Sequence, residues 1–117
     1  MEIAQRRGEF TLFVVDRDPV AAQALASGIQ ALGYSNTRFY PTLDSARAMA
    51  EQEPPHVLLL TCEKIDEGIE DFLTQMQILS EEILVVLLVP SALYLHSLQI
   101  VGRSLAYDSV VRPFASM

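Results

Sequence analysis

Apolar residues in this chain fall into short, nearly continuous runs, separated by stretches in which they recur every three or four positions. Residues 11–15 (Thr-Leu-Phe-Val-Val), 56–60 (His-Val-Leu-Leu-Leu) and 83–89 (Ile-Leu-Val-Val-Leu-Leu-Val) are runs of the first kind. A strand that is apolar at consecutive positions, not alternate ones, belongs in a parallel sheet covered on both faces. Segments of helical period lie between and beyond these runs. Ala21, Leu25, Ile29 and Leu32 trace one helical face; Leu43, Ala46 and Met49 trace a second. Ile69, Phe72, Leu73, Met76 and Leu79 form a third, and Leu95, Leu98, Val101 and Leu105 a fourth.

Punctuation residues agree with that division. Asp18 stands as an N-cap before Pro19, and Gly33 ends the first helix. Thr42 caps the second, which Pro54 and Pro55 end, and Ser91 is expected to cap the fourth. Residues 38–40 read as a short peripheral strand and residues 109–111 as a fifth strand. The alternation predicts an α/β fold with a doubly wound, five-stranded parallel sheet and right-handed crossovers. No composition break divides it, so residues 1–117 form one domain, with a tail over 1–9 and a core over 10–114.

Composition narrows the function. The longest apolar run, 83–89, is far shorter than the roughly 20 residues of a membrane-spanning helix. The first eight residues are polar and lack the apolar segment of a secretion signal, so a soluble cytoplasmic protein is expected. Cys62 is the only cysteine, and with His56 and His96 it makes no metal-ligand spacing. It reads as an inert buried thiol, and the two histidines as surface or helix residues. A formal charge of −7 argues against a nucleic-acid surface, which leaves another protein as the expected partner.

Doubly wound sheets carry their functional groups at the carboxyl ends of the strands. There the sequence resembles the response-regulator receiver family of two-component signalling. Val14-Val-Asp16-Arg17-Asp18-Pro19 is similar to the end of that family's first strand, which carries two acids. Pro55-His-Val-Leu-Leu-Leu60 leads into Thr61, where the family has its phosphate-accepting aspartate. Ala106-Tyr-Asp-Ser-Val-Val-Arg-Pro-Phe114 resembles the closing segment, with Arg112 in place of the family's lysine. The resemblance spans residues 11–114 and implies a flavodoxin-like (βα)5 topology, the last helix missing or supplied elsewhere. If the chain is complete, an apolar strip of sheet beside the first helix needs a cover from a partner or a second copy.

The departures matter because the family's reaction is attack by a carboxylate on a phosphoryl group beside a divalent cation. Arg17 replaces the second acid, and Thr61 offers a hydroxyl, which forms no acyl phosphate. The phosphate-binding Ser or Thr of the fourth strand falls on Pro90 or, with a one-residue shift, on Ser91; the switch aromatic of the fifth strand falls on Ser109. Asp16 and Arg112 are expected to join Arg17 in a fixed salt-bridged cluster. Asp18 reads more simply as a cap than as a ligand.

The implied function is a pseudo-receiver: a phosphorylation-independent interaction module with no reaction, cofactor or metal, acting on a protein partner, on further domains of a longer chain, or as a homodimer. Tyr94, Leu95, Leu98 and Ser109 mark the surface through which receivers commonly pair, although burial in the core explains the two leucines at least as well. One alternative is a degenerate receiver that still answers phosphate donors or a cation through Asp16 and Asp18, with Ser91 and Arg112 on the anion. Another is a flavodoxin-like cofactor-binding protein. Against it, the turn Asp16-Arg17-Asp18-Pro19 has no glycine, and its carboxylates repel a cofactor phosphate.

Overall fold

A computed structural model describes the backbone of residues 4–112 and the side chains of residues 7–111. Its strands are β1 Leu12–Val15, β2 Thr37–Tyr40, β3 Val57–Thr61, β4 Leu84–Pro90 and β5 Asp108–Arg112. They alternate with helices α1 Pro19–Ala31, α2 Leu43–Gln52, α3 Glu67–Leu79 and α4 Tyr94–Gly102. Every strand pair is parallel and the order is β2-β1-β3-β4-β5, the doubly wound sheet that the apolar runs predict.

Consecutive apolar residues give β1, β3 and β4 two buried faces. On one face Phe13, Val15, Leu58, Leu60, Val85, Leu87 and Val89 join Ala46 and Ala50 of α2, Phe72, Leu73 and Met76 of α3 and Ile100 of α4. On the other, Val14 meets Ala22 and Ala26 of α1, with Leu25, Ile29 and Leu59 partly buried beside them. One face therefore lies under three helices, and the other, among the described residues, under α1. Beyond α1 that second face leaves Val86 half-buried and Leu84 and Val110 exposed.

Local signals set the helix ends. The Asp18 carboxylate accepts from the N–H groups of Val20 and Ala21 at 3.0 and 3.4 Å, with Pro19 in the first turn. Thr42 and Ser45 bond reciprocally at the start of α2. Gly33, at φ +106°, turns the chain after α1 in a conformation that a side chain would strain. Among the described residues no helix is long and apolar enough to cross a membrane.

Ahead of β1, Ala4–Glu9 form a 3₁₀ helix, and Arg7 donates to the Leu32 carbonyl at 2.6 Å and stacks over Tyr34. Other expectations are corrected. Leu32 is exposed at the C-cap of α1, where the chain has already turned away from the sheet. Ser91 does not cap α4. Residues Ser91–Leu93 form a 3₁₀ turn, and Leu93 stands at the helix N-cap with no side-chain bond. Starting α4 at Tyr94 rotates its face, so Ser97 and Ile100 are buried while Leu95 and Leu98 are 77% and 39% exposed. The leucines are not core.

Candidate cleft at the carboxyl edge of the sheet

Right-handed crossovers bring every strand-to-helix loop of a parallel sheet to the same edge. The loops after β1, β2 and β3 enclose a cleft of about 380 Å³ there. Asp16, Arg17 and Thr61 all line it, as the strand ends predict. Pro41, Thr42, Leu43 and Asp44 contribute from the start of α2, and Glu63, Lys64, Asp66, Gly68 and Ile69 from the start of α3.

Asp16 directly follows β1, and its N–H donates to the Tyr40 carbonyl at 3.1 Å. Asp16 as a residue is only 9% exposed, and its carboxylate accepts from the Asp18 N–H at 2.9 Å. The next two residues diverge: Arg17 is exposed, and Asp18 turns to cap α1. Thr61 ends β3 opposite Leu88. Leu58, Leu60 and Cys62 belong to the three-helix core, so strand alternation sends Thr61 to the opposite face with Leu59. The Thr61 hydroxyl oxygen is shut off from solvent and has no hydrogen-bond partner. Cys62 is buried, as expected of an inert thiol.

The expected salt-bridged cluster does not form between Asp16 and Arg17. Ion pairs among the described residues join Arg38 to Glu53, Arg47 to Asp44, Lys64 to Asp66 and Arg103 to Glu70. A backbone N–H holds the Asp16 carboxylate instead, and Arg17 extends into solvent. Arg112 lies opposite Pro90 in the sheet, and its side chain falls outside the described residues. Pro90 and Ser91, at the end of β4 and in the 3₁₀ turn, do not line this cleft.

Glu63, Lys64 and Asp66 went unnoticed in the sequence. Asp66 caps α3 by accepting from the Ile69 N–H at 3.1 Å, and it lies 3.5 Å from Lys64. The Ile69 bond, helped by Lys64, holds the carboxyl below its ordinary value of 3.8. An acid three residues ahead of an apolar helical face is a legible cap signal.

The receiver resemblance implies a divalent cation, and the residues present do not fit one. A magnesium site needs several oxygen ligands in octahedral array. Asp16 stands here beside an arginine, Asp18 is committed to a cap, and no group of three His, Cys, Asp or Glu side chains among the described residues is placed to hold a metal.

The expected interaction surface divides. Leu95 and Leu98 face solvent, and Tyr94 packs in part against the core. Ser109 does not belong to that surface. It is 7% exposed, and its hydroxyl lies 2.6 Å from that of Ser97, tying β5 to α4 inside the domain.

No family model and no curated protein matches this chain. Solved structures do. A response regulator protein from Thermotoga maritima, TrrA, in complex with Mg(2+)-BeF, is 18% identical with a TM-score of 0.73, over 91% of this chain and 89% of that one. The chain has the receiver fold. A Vibrio cholerae chemotaxis protein, CheY4, shares this receiver fold at 16% identity and a TM-score of 0.75, over 90% and 88% of the two chains. A Rhodopirellula baltica adenylate cyclase structure matches it at 12% identity and a TM-score of 0.76, over 88% and 76%.

Proposed function

We propose that this chain is a cytoplasmic receiver-like module that regulates by binding another protein and does so without phosphorylation or any reaction of its own. The observation that carries the reading is Thr61 at the carboxyl end of β3, beside Asp16 and Arg17 in one cleft. A carboxylate attacking phosphorus yields an acyl phosphate; a threonine hydroxyl does not. The shielded position of that hydroxyl also disfavours attack by a kinase.

The far side of the domain supports the same reading. The Ser97 and Ser109 hydroxyls join α4 to β5, with Ser109 at the position where the resemblance expects the switch aromatic. Leu95 and Leu98 on α4, with Tyr107 and Val111 around β5, offer exposed apolar area for a partner, a second copy included.

The test is a titration with magnesium and beryllofluoride, the combination in the TrrA complex, followed by heteronuclear amide spectra, with light scattering on the same sample. Unmoved amides at Asp16, Thr61 and Cys62 are expected. Saturable shifts spreading from those amides to α4 overturn the proposal.

A further inference from the structure

The cleft at the carboxyl edge has walls that phosphate chemistry does not use. Leu43 and Ile69 present partly exposed apolar surface, and the largely buried Asp16 stands beside them. We propose that this cleft receives an arginine or lysine side chain from a short basic segment of a partner protein. This rests on the reading of the domain as a phosphorylation-independent interaction module, and it names the chemistry of the partner.

Charge and shape favour that occupant over an anion. Four acids line the cleft (Asp16, Asp44, Glu63, Asp66) against two bases (Arg17, Lys64), an excess of two negative charges. Asp44 is already paired with Arg47 and Asp66 with Lys64, which leaves Asp16 and Glu63 against the exposed Arg17. A phosphate entering here meets the Asp16 carboxylate and gains nothing from Leu43 and Ile69. A basic side chain lays its alkyl stem along Leu43 and Ile69 and brings its charged head to Asp16. The net charge of −7 raises the encounter rate with a basic segment at low salt.

The probe is a capped pentapeptide with arginine centred between two leucines, compared with the same peptide carrying norleucine or glutamate at the centre. Each is titrated into the isotope-labelled full chain. The arginine peptide is expected to shift the amides of Leu60, Thr61 and Ile69 saturably, to bind at least about tenfold more tightly than the norleucine peptide, and to weaken as salt rises. Asp16→Asn keeps an oxygen for the Asp18 N–H, so the fold persists, and it is expected to weaken the arginine peptide at least about tenfold. Glu63→Gln, at an exposed rim position, is expected to weaken it less. Equal binding of the norleucine peptide, shifts confined to other surfaces, or no shift with any peptide overturns the inference. The two proposals fail separately: beryllofluoride shifts refute phosphorylation independence, whereas silence toward both probes refutes only the basic-side-chain site.

Discussion

Replacing Ser97 by alanine should cost more than replacing its partner Ser109, although the two share one hydrogen bond. Ser97 is fully buried and donates its single proton to the Tyr94 carbonyl at 2.6 Å, so the 2.6 Å contact between the hydroxyls makes Ser109 the donor to Ser97. Ser109→Ala removes one bond and leaves Ser97 still bonded to Tyr94, a loss of about 0.5–1.5 kcal/mol. Ser97→Ala removes both bonds and strands the Ser109 hydroxyl in the core, a loss of about 1–3 kcal/mol. In the double variant that stranded donor is gone, so the combined loss should fall short of the sum of the single losses. Urea unfolding of the four proteins, with m-values compared, measures this cycle. Additivity within about 0.5 kcal/mol, or a larger loss for Ser109→Ala than for Ser97→Ala, refutes the donor assignment and the tie between α4 and β5.

Asp18→Ala should lower stability by about 1 kcal/mol in the same assay, and Asp18→Asn by much less, because α1 loses its N-cap acceptor only in the first. Phe72→Ala, which empties a ring-sized space between α3 and the sheet, should cost about 3–5 kcal/mol, whereas Leu95→Glu on the exposed face of α4 should change stability by less than about 0.5 kcal/mol. The Asp66 carboxyl should titrate below 3.8 by NMR. Because its folded value is depressed, the stability that it contributes is present above 3.8 and is lost as pH falls through the lowered value, so Asp66→Asn should flatten that part of the acid limb. A titration midpoint at or above 3.8 contradicts the Ile69 bond. Gly33→Ala should destabilise by more than about 1 kcal/mol, since alanine at φ +106° is strained and its Cβ meets Arg7 at 3.1 Å.

Element type and order are legible in the sequence because they depend on local pattern. Unbroken apolar runs at 11–15, 56–60 and 83–89 require two covered faces, and Asp18-Pro19, Thr42 and Gly33 mark helix ends by chemistry that acts within one turn. The placement of Asp16 and Thr61 at one edge follows from the same pattern, since a parallel sheet leaves its strand ends together. Three decisions belong to the tertiary structure. The face of α4 turned when the chain spent Ser91–Leu93 on a 3₁₀ turn, which exposed Leu95 and Leu98 and buried Ser97; a periodicity spaced by threes and fours does not say where a helix starts. The Asp16 carboxylate took the Asp18 N–H in preference to Arg17, because a backbone donor two residues away costs less entropy than a long side chain. The loops after β2 and β3 closed the cleft with Leu43, Glu63, Lys64 and Asp66, residues brought beside Asp16 by the crossovers alone. Propensity and capping are read from neighbours in sequence; side-chain partnership depends on which distant groups the fold brings within reach.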